Sequence, residues 1–375
     1  MTRQVWKIEK FSSDKTDDVM SFTYSTGRRT QFDTYAPGSL ILTIRNNTNQ
    51  ADGYQLNDKI ILTAVGTTWY QWHYVQEVIF NDEPGTGTNS TATIICTDLL
   101  GRCGRIQVFE EAIAQAQTLQ QIATVFDPLL PASTSFVLFG QTLELPGATG
   151  ESTAAADASY SGTALNRLNL NMTTEQGRIT VSGESIKLYS RSSYGLFPAN
   201  ITFARTTSGT FQIGYSNIER IALGPNYLNN CTVTPPVAAA QNAIDSSGVS
   251  TYGTYGGEFS TVDSSATQAQ DFAQYQVVSR ADPEELSFAI TVSDTANDLT
   301  DLLDSLLIYA YFNVSYKKPG SGSAVTESQI LQGWSMSVTP AGTTMQIFTS
   351  PAAYSSFFLL DSGNYGLLDI DHLGW

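Results

Sequence analysis

The sequence predicts a mainly β protein of the α+β class, with a few helices set among antiparallel strands. Three observations carry that reading. Apolar residues alternate with period two through several short segments, and helical periodicity is confined to two stretches. The polar complement is Ser, Thr, Asn, Gln, Gly and Tyr rather than charge. Of 375 residues 41% are hydrophobic, enough for more than one packed core, while only 14% are charged, below the roughly 25% of ordinary domains.

Taken in order, SLILTIR puts Leu40, Leu42 and Ile44 on one face of a strand, and TATIICT does the same with Ala92, Ile94 and Cys96. EEAIAQAQTLQQIATVF predicts a helix over 110–126, striped by Ile113, Ala116, Leu119, Ala123 and Phe126. Glu110 and Glu111 would sit at its positive end. SSATQAQDFAQYQVVSR predicts a second helix over 264–280, with Ser265 and Gln268 at capping-box spacing and Pro283 beyond its end. Its stripe of Ala266, Ala269, Ala273 and Val277 suits close packing on a sheet. ELSFAITV and LLIYAYFNVSY predict strands with inward sets Leu286, Phe288, Ile290, Val292 and Leu306, Ile308, Ala310, Phe312, Val314. MSVTPAGTTMQIF predicts a hairpin, Met336 and Val338 facing Met345 and Ile347 across a turn near Pro340. Small polar runs at 145–164, 232–257 and 317–324 read as loops or joints. The final strands make too small a sheet alone, so they are expected to return to the N-terminal strands.

Composition argues against several functions. The 19 basic and 35 acidic residues give a net charge of −16, which repels nucleic acid and anionic membrane. The three cysteines, Cys96, Cys103 and Cys231, form neither a disulfide framework nor a zinc pattern; Cys96 reads as a buried free thiol. The N-terminus lacks an apolar signal core, and no segment has the roughly 18 apolar residues of a membrane span. The two histidines, His73 and His372, lack a G-x-S-x-G partner and metal spacing. Carboxylate pairs such as Asp17-Asp18, Glu110-Glu111 and Glu284-Glu285 read as solvated ends. The stretch DSGNYGLLDID departs from a calcium loop at Gly363 and Tyr365. No catalytic residue, cofactor or metal site is expected.

Two groups of residues stand out instead. The first is TGRRTQFDTYAPGSLILTIRNNTNQADGY, carrying Gly27, Arg28, Arg29, Asp33, Tyr35, Pro37 and Gly38. Gly27 supplies a permissive backbone, Arg28 or Arg29 is expected to pair with Asp33, and Pro37-Gly38 to turn the chain into the 40–45 strand. The motif reads as architecture. The second is Trp69, Tyr70, Trp72 and Tyr74, which suit a barrel end or subunit interface, or else a platform for stacking sugars.

Four stretches, in order, resemble the minor tail proteins of tailed bacteriophages that build the tail-tip or baseplate hub. They are GRRTQFDTYAPGSLILTIRNNTNQADGY with LNDKIILT, TATIICTDLLGRCGR, the segment from Asn229 through Ser247, Tyr252 and Gly253 to the 264–280 helix, and FFLLDSGNYGLLDIDHLGW. Where such proteins often carry an arginine after the Tyr-Gly pair, this chain has Thr254 and Tyr255. The resemblance implies two small antiparallel β-barrel-like domains of tail-hub type. Residues 1–130 would form the first, with helix 110–126; 131–300 the second, with helix 264–280; and 301–375 a segment returning to the first. It also implies a structural, non-enzymatic virion protein assembled in the bacterial cytoplasm. Its partners would be copies of itself in a homotrimeric ring, other tail proteins (tube, distal tail, fibre or tape measure), phage DNA in transit and the host envelope. The alternative is a tail component that binds host-surface carbohydrate.

Overall fold

A computed structural model describes residues 3–83, 89–130, 135–139, 150, 152–183, 185–191, 201–205, 212–222, 226–281, 286–295, 297–306, 310–318, 320 and 323–352. The N-terminal strands are β1 (Trp6–Lys10), β2 (Ser13–Asp14), β3 (Val19–Gly27), β4 (Ser39–Arg45), β5 (Lys59–Ala64), β6 (Tyr70–Asn81) and β7 (Thr91–Thr97). Period-two alternation does what it should: Leu40, Leu42, Ile44, Ile60, Leu62, Ala92 and Ile94 are fully buried.

A unit of both helix and strand follows. It comprises α1 (Leu99–Cys103), β8 (Gln107–Ile113), β9 (Ala116–Gln117), α2 (Thr118–Phe126), β10 (Ser135–Phe139), β11 (Thr153–Ala154), β12 (Asp157–Thr163), α3 (Ala164–Glu175), β13 (Arg178–Ser182) and β14 (Ser185–Tyr189). Here the expected helix over 110–126 is corrected. Only its second half is helical; residues 107–113 form a strand paired with β12 in a two-stranded ribbon. Glu110 adopts φ 51°, which an α-helix does not admit, and the ribbon's register shifts twice between Asp157 and Gly162. Leu119, Ile122 and Phe126 of α2 pack with Leu168 and Met172 of α3 into the core of this unit.

Next come β15 (Ile201–Ala204), β16 (Gln212–Gly214) and β17 (Asn217–Ala222), then β18 (Asn230–Thr234), β19 (Gln241–Ile244), α4 (Ser246–Tyr252), β20 (Gly256–Ser260) and α5 (Ala266–Val278). The predicted helix 264–280 is present. The Ser265 side chain caps it by accepting the Gln268 N–H at 3.3 Å, and Ala269, Phe272, Ala273 and Val277 pack against Cys231 and Val233.

The chain ends, among the described residues, with β21 (Leu286–Ser293), α6 (Thr300–Ser305), β22 (Tyr311–Lys317), β23 (Ala324–Thr339) and β24 (Gly342–Pro351). The predicted strand over 306–316 begins only at Tyr311, and Leu306 instead closes α6. Ile308, the Glu284-Glu285 pair, His372 and the C-terminal FFLLDSGNYGLLDIDHLGW lie outside the described residues. The hairpin forms as read, Met336 opposite Met345 across the Pro340-Ala341 turn.

β23 organises the fold. Along one edge it pairs with β24. Along the other, residues 333–338 pair with β3 and residues 324–330 with β22. The C-terminal hairpin therefore returns to the N-terminal strands. The sheet forks at Gln332, where the register of the β23–β24 ladder also shifts. On one side of the fork lies the meander β3-β4-β7-β6-β5-β1; on the other, β22-β15-β16, with β21 and β17 joined through β24. The Trp6 indole N–H donates to Thr343 Oγ1 at 3.0 Å, drawing β1 back toward β24. The order is open among the described strands, and the meander forms one lobe of the sheet. One apolar core runs through both sides, from Trp6, Tyr24, Trp69 and Trp334 to Phe203, Phe288 and Phe312. No helix of the described residues is long and apolar enough to cross a membrane.

Candidate functional site

The 28–38 loop leaves the sheet at this fork. Gly27 lies opposite Gly333, at φ 79°, and a Cβ there would fall 2.4 Å from the Gln332 carbonyl oxygen. Gly333 is equally confined: its Cβ would meet the Thr26 and Arg28 carbonyl oxygens at 2.6 and 2.7 Å. Two glycines are needed because two backbones touch. The Arg28 N–H donates to Gln332 O at 3.0 Å, and Arg28 Nε to Gln332 Oε1 at 3.0 Å. Gln332 itself is fully buried. A guanidinium thus satisfies the amide oxygen that the fork takes out of water, while the Gln332 Nε2 is buried with no partner among the described residues.

The expected Arg–Asp ion pair is replaced by other bonds. Arg28 Nη1 reaches the Asp33 backbone carbonyl at 3.2 Å, while the Asp33 carboxylate accepts the Thr30 N–H at 2.7 Å. That bond holds a turn at Gln31-Phe32, whereas residues 34–38, with Pro37 and Gly38, carry no turn. Arg29 is exposed, its guanidinium 5.8 Å from the Phe348 ring centre. Tyr35 is buried, stacks under Arg28 at 4.5 Å, and its hydroxyl donates to Gly177 O at 3.3 Å. The Gly38 N–H donates to Asp98 Oδ2 at 2.8 Å, and Asp98 also caps α1 through the Gly101 N–H. Burial pushes the Asp98 carboxyl up to about 7, against the opposing pull of these N–H bonds.

The loop therefore touches the forked sheet, the α2–α3 unit and the α5 unit together. A cavity of about 170 Å³ opens beneath it, walled by Arg28, Phe32, Tyr35, Arg178, Phe259 and Arg280. Sequence reasoning found the loop but missed Gln332, Gly333, Asp98 and Arg280, which lie far away along the chain. The LQGW run at 331–334 was a usable signal, a glycine inside an otherwise apolar strand.

The four aromatic residues do not form one surface. Trp69 is buried and stacks edge-on against Trp6 and Tyr24 at 5.7 and 5.6 Å. Tyr74 is buried in the α2–α3 core with Arg102 over its ring. Trp72 is covered by Lys59 Nζ at 3.7 Å, and Tyr70 is exposed. His73 is buried beside Tyr24, and burial lowers its pKa to about 3, which suits a neutral core residue rather than a base. All three cysteines are free and buried, and no cluster of metal-ligating side chains occurs among the described residues.

No family model matches the chain, and no curated protein matches its sequence. Solved structures do match its fold. A tail protein from Neisseria meningitidis is similar with a TM-score of 0.65 at 10% identity, over 93% of this chain and 97% of that one. A 43 kDa tail protein of a Shewanella oneidensis prophage is similar with a TM-score of 0.59 at 12% identity, over 94% and 98%. An Escherichia coli component of the type VI secretion system, itself similar in structure to bacteriophage T4 tail proteins, reaches 0.55 at 9% identity, over 93% and 75%. The chain thus has the mainly β fold of phage tail proteins along nearly its whole length, in keeping with the resemblance read from its motifs.

Proposed function

We propose that the protein is a structural component of a phage-type tail, the hub at the tail tip or baseplate. The observation that carries the reading is the fold shared with tail proteins: 93% of this chain aligns with 97% of the Neisseria protein. Two β lobes joined through one strand suit a ring subunit. Three copies would place six lobes around an axis, which lets a threefold tip meet a sixfold tube. A charge of −16 per chain is compatible with a channel that passes DNA without holding it. Enzymatic work is no part of this role. The burial of Trp69 and Tyr74 supports a structural over a sugar-stacking use of the aromatic run.

Imaging the particle tip at side-chain resolution tests the proposal. The expected result is a closed ring of three copies around the tail axis, with tube and distal proteins stacked upon it. A single copy, or copies confined to the periphery as receptor-binding appendages, would overturn it. The purified protein should also show no DNA binding at physiological salt.

A further inference from the structure

We infer that the cavity beneath the 28–35 loop is a carboxylate-binding site that takes an Asp or Glu side chain from another polypeptide. The charge lining it is the first reason. Among the described residues, Arg28, Arg178 and Arg280 line the cavity together with one carboxylate, Asp33, which accepts the Thr30 N–H. In a chain with 19 basic and 35 acidic residues, three arginines lining one small space run against composition.

Arg280 is the second reason. Its Nε is buried with no hydrogen-bond partner, and no ion pair involves it among the described residues. Burial lowers its pKa to about 10, and the groups that favour its charged form are Tyr275 and Cys231, neither of them a carboxylate. A guanidinium does not give up its proton near neutral pH, so an anion beside this half-buried charge would stabilise it.

Shape selects the anion. Phe32 lies 4.1 Å and Phe259 5.3 Å from the Arg280 guanidinium carbon, measured to the ring centres. Rings against the guanidinium face leave its N–H edge as the donor surface, and that fork matches a planar carboxylate bidentately. A volume of about 170 Å³ is below the roughly 300–1,000 Å³ of cofactor and drug-sized pockets. It accommodates one side chain. The mouth is open to solvent at the exposed Asp33 and Thr34. The site stands on this geometry alone and holds whether or not the chain is a tail hub.

The test is calorimetry and thermal melting of the full chain with glutarate, a mimic of the Glu side chain, and with inorganic phosphate, at constant ionic strength. Glutarate should bind saturably and raise the melting temperature, with phosphate at least tenfold weaker. Arg280→Gln should lose at least tenfold in glutarate affinity, whereas Arg3→Gln, at an exposed position, should bind as wild type. Arg280→Lys keeps the charge but not the fork, so it should also bind at least tenfold more weakly while melting close to wild type. Absence of saturable glutarate binding, unchanged affinity in Arg280→Lys, or tighter binding of phosphate than of glutarate would each overturn the assignment.

Discussion

Gly27→Ala isolates the fork. The substitution adds one methyl group where the backbone holds φ at 79° and where Cβ would lie 2.4 Å from Gln332 O and 2.6 Å from Gly333 Cα. The left-handed conformation costs an L-residue about 1 kcal/mol. The overlap is with backbone, so no side chain can swing aside. β3 and β23 must part locally, and losing the Arg28 N–H bond to Gln332 O with one neighbouring ladder bond costs about 1 kcal/mol each. The sum is about 3 kcal/mol. With roughly 2.1 cal/mol/K of unfolding entropy per residue over 375 residues, that lowers Tm by about 4 °C. Gly53→Ala is the control, because nothing lies within 4 Å of its added Cβ. Calorimetric or circular-dichroism melting compares the two. A Gly27→Ala protein that melts with wild type, or no lower than the Gly53 control, would refute the claim that this crossing is closed to a side chain.

Arg28→Ala leaves the buried Gln332 amide oxygen unpaired and should cost about 2 kcal/mol, whereas Asp33→Ala, which loses one exposed turn bond, should cost under about 1 kcal/mol; urea titration ranks them. Asp98, raised to about 7, keeps a proton in the folded state that the unfolded chain has released between about pH 4 and 7. Wild-type stability should therefore fall relative to Asp98→Asn as pH rises through that window, then hold a constant difference above it. His73, lowered to about 3, gives the opposite slope: relative to His73→Leu, wild type should lose about 2 kcal/mol between pH 8 and pH 5, as the unfolded chain takes up a proton the core refuses. Melting curves across pH check both.

The strands were legible where one face is dry and the other wet. Residues 39–45 and 91–97 alternate in the sequence because each is a half-buried rung of the same sheet. The α5 helix was legible from its alanine stripe and Ser265 cap. The 110–126 stretch misled because Ile113, Ala116 and Leu119 satisfy a helical spacing, while the paired ribbon leaves residues 109–112 exposed and imposes little pattern of its own. α3 escaped notice because its buried face includes Arg167, Asn171 and Glu175, polar groups hydrogen-bonded to Gln121, Thr118 and Ser152. The loop motif was visible, but its partners are not local. Arg28 meets Gln332 across 304 positions of sequence, and Gly38 meets Asp98 across 60. A single sequence shows that a glycine is present; it does not show which backbone crosses it.

The sixteen residues of β23 span roughly 54 Å at about 3.4 Å per residue, and both lobes hang from this one span. A pull on one lobe along that axis travels to the other through peptide bonds as tension. It loads the flanking ladders in shear, so many hydrogen bonds resist together instead of opening one after another like a zip. The weak direction is sideways, where β3 can peel from β23 beginning at the glycine crossing. Arg28, bonded to Gln332 through both backbone and side chain, pins the crossing where that peeling would begin.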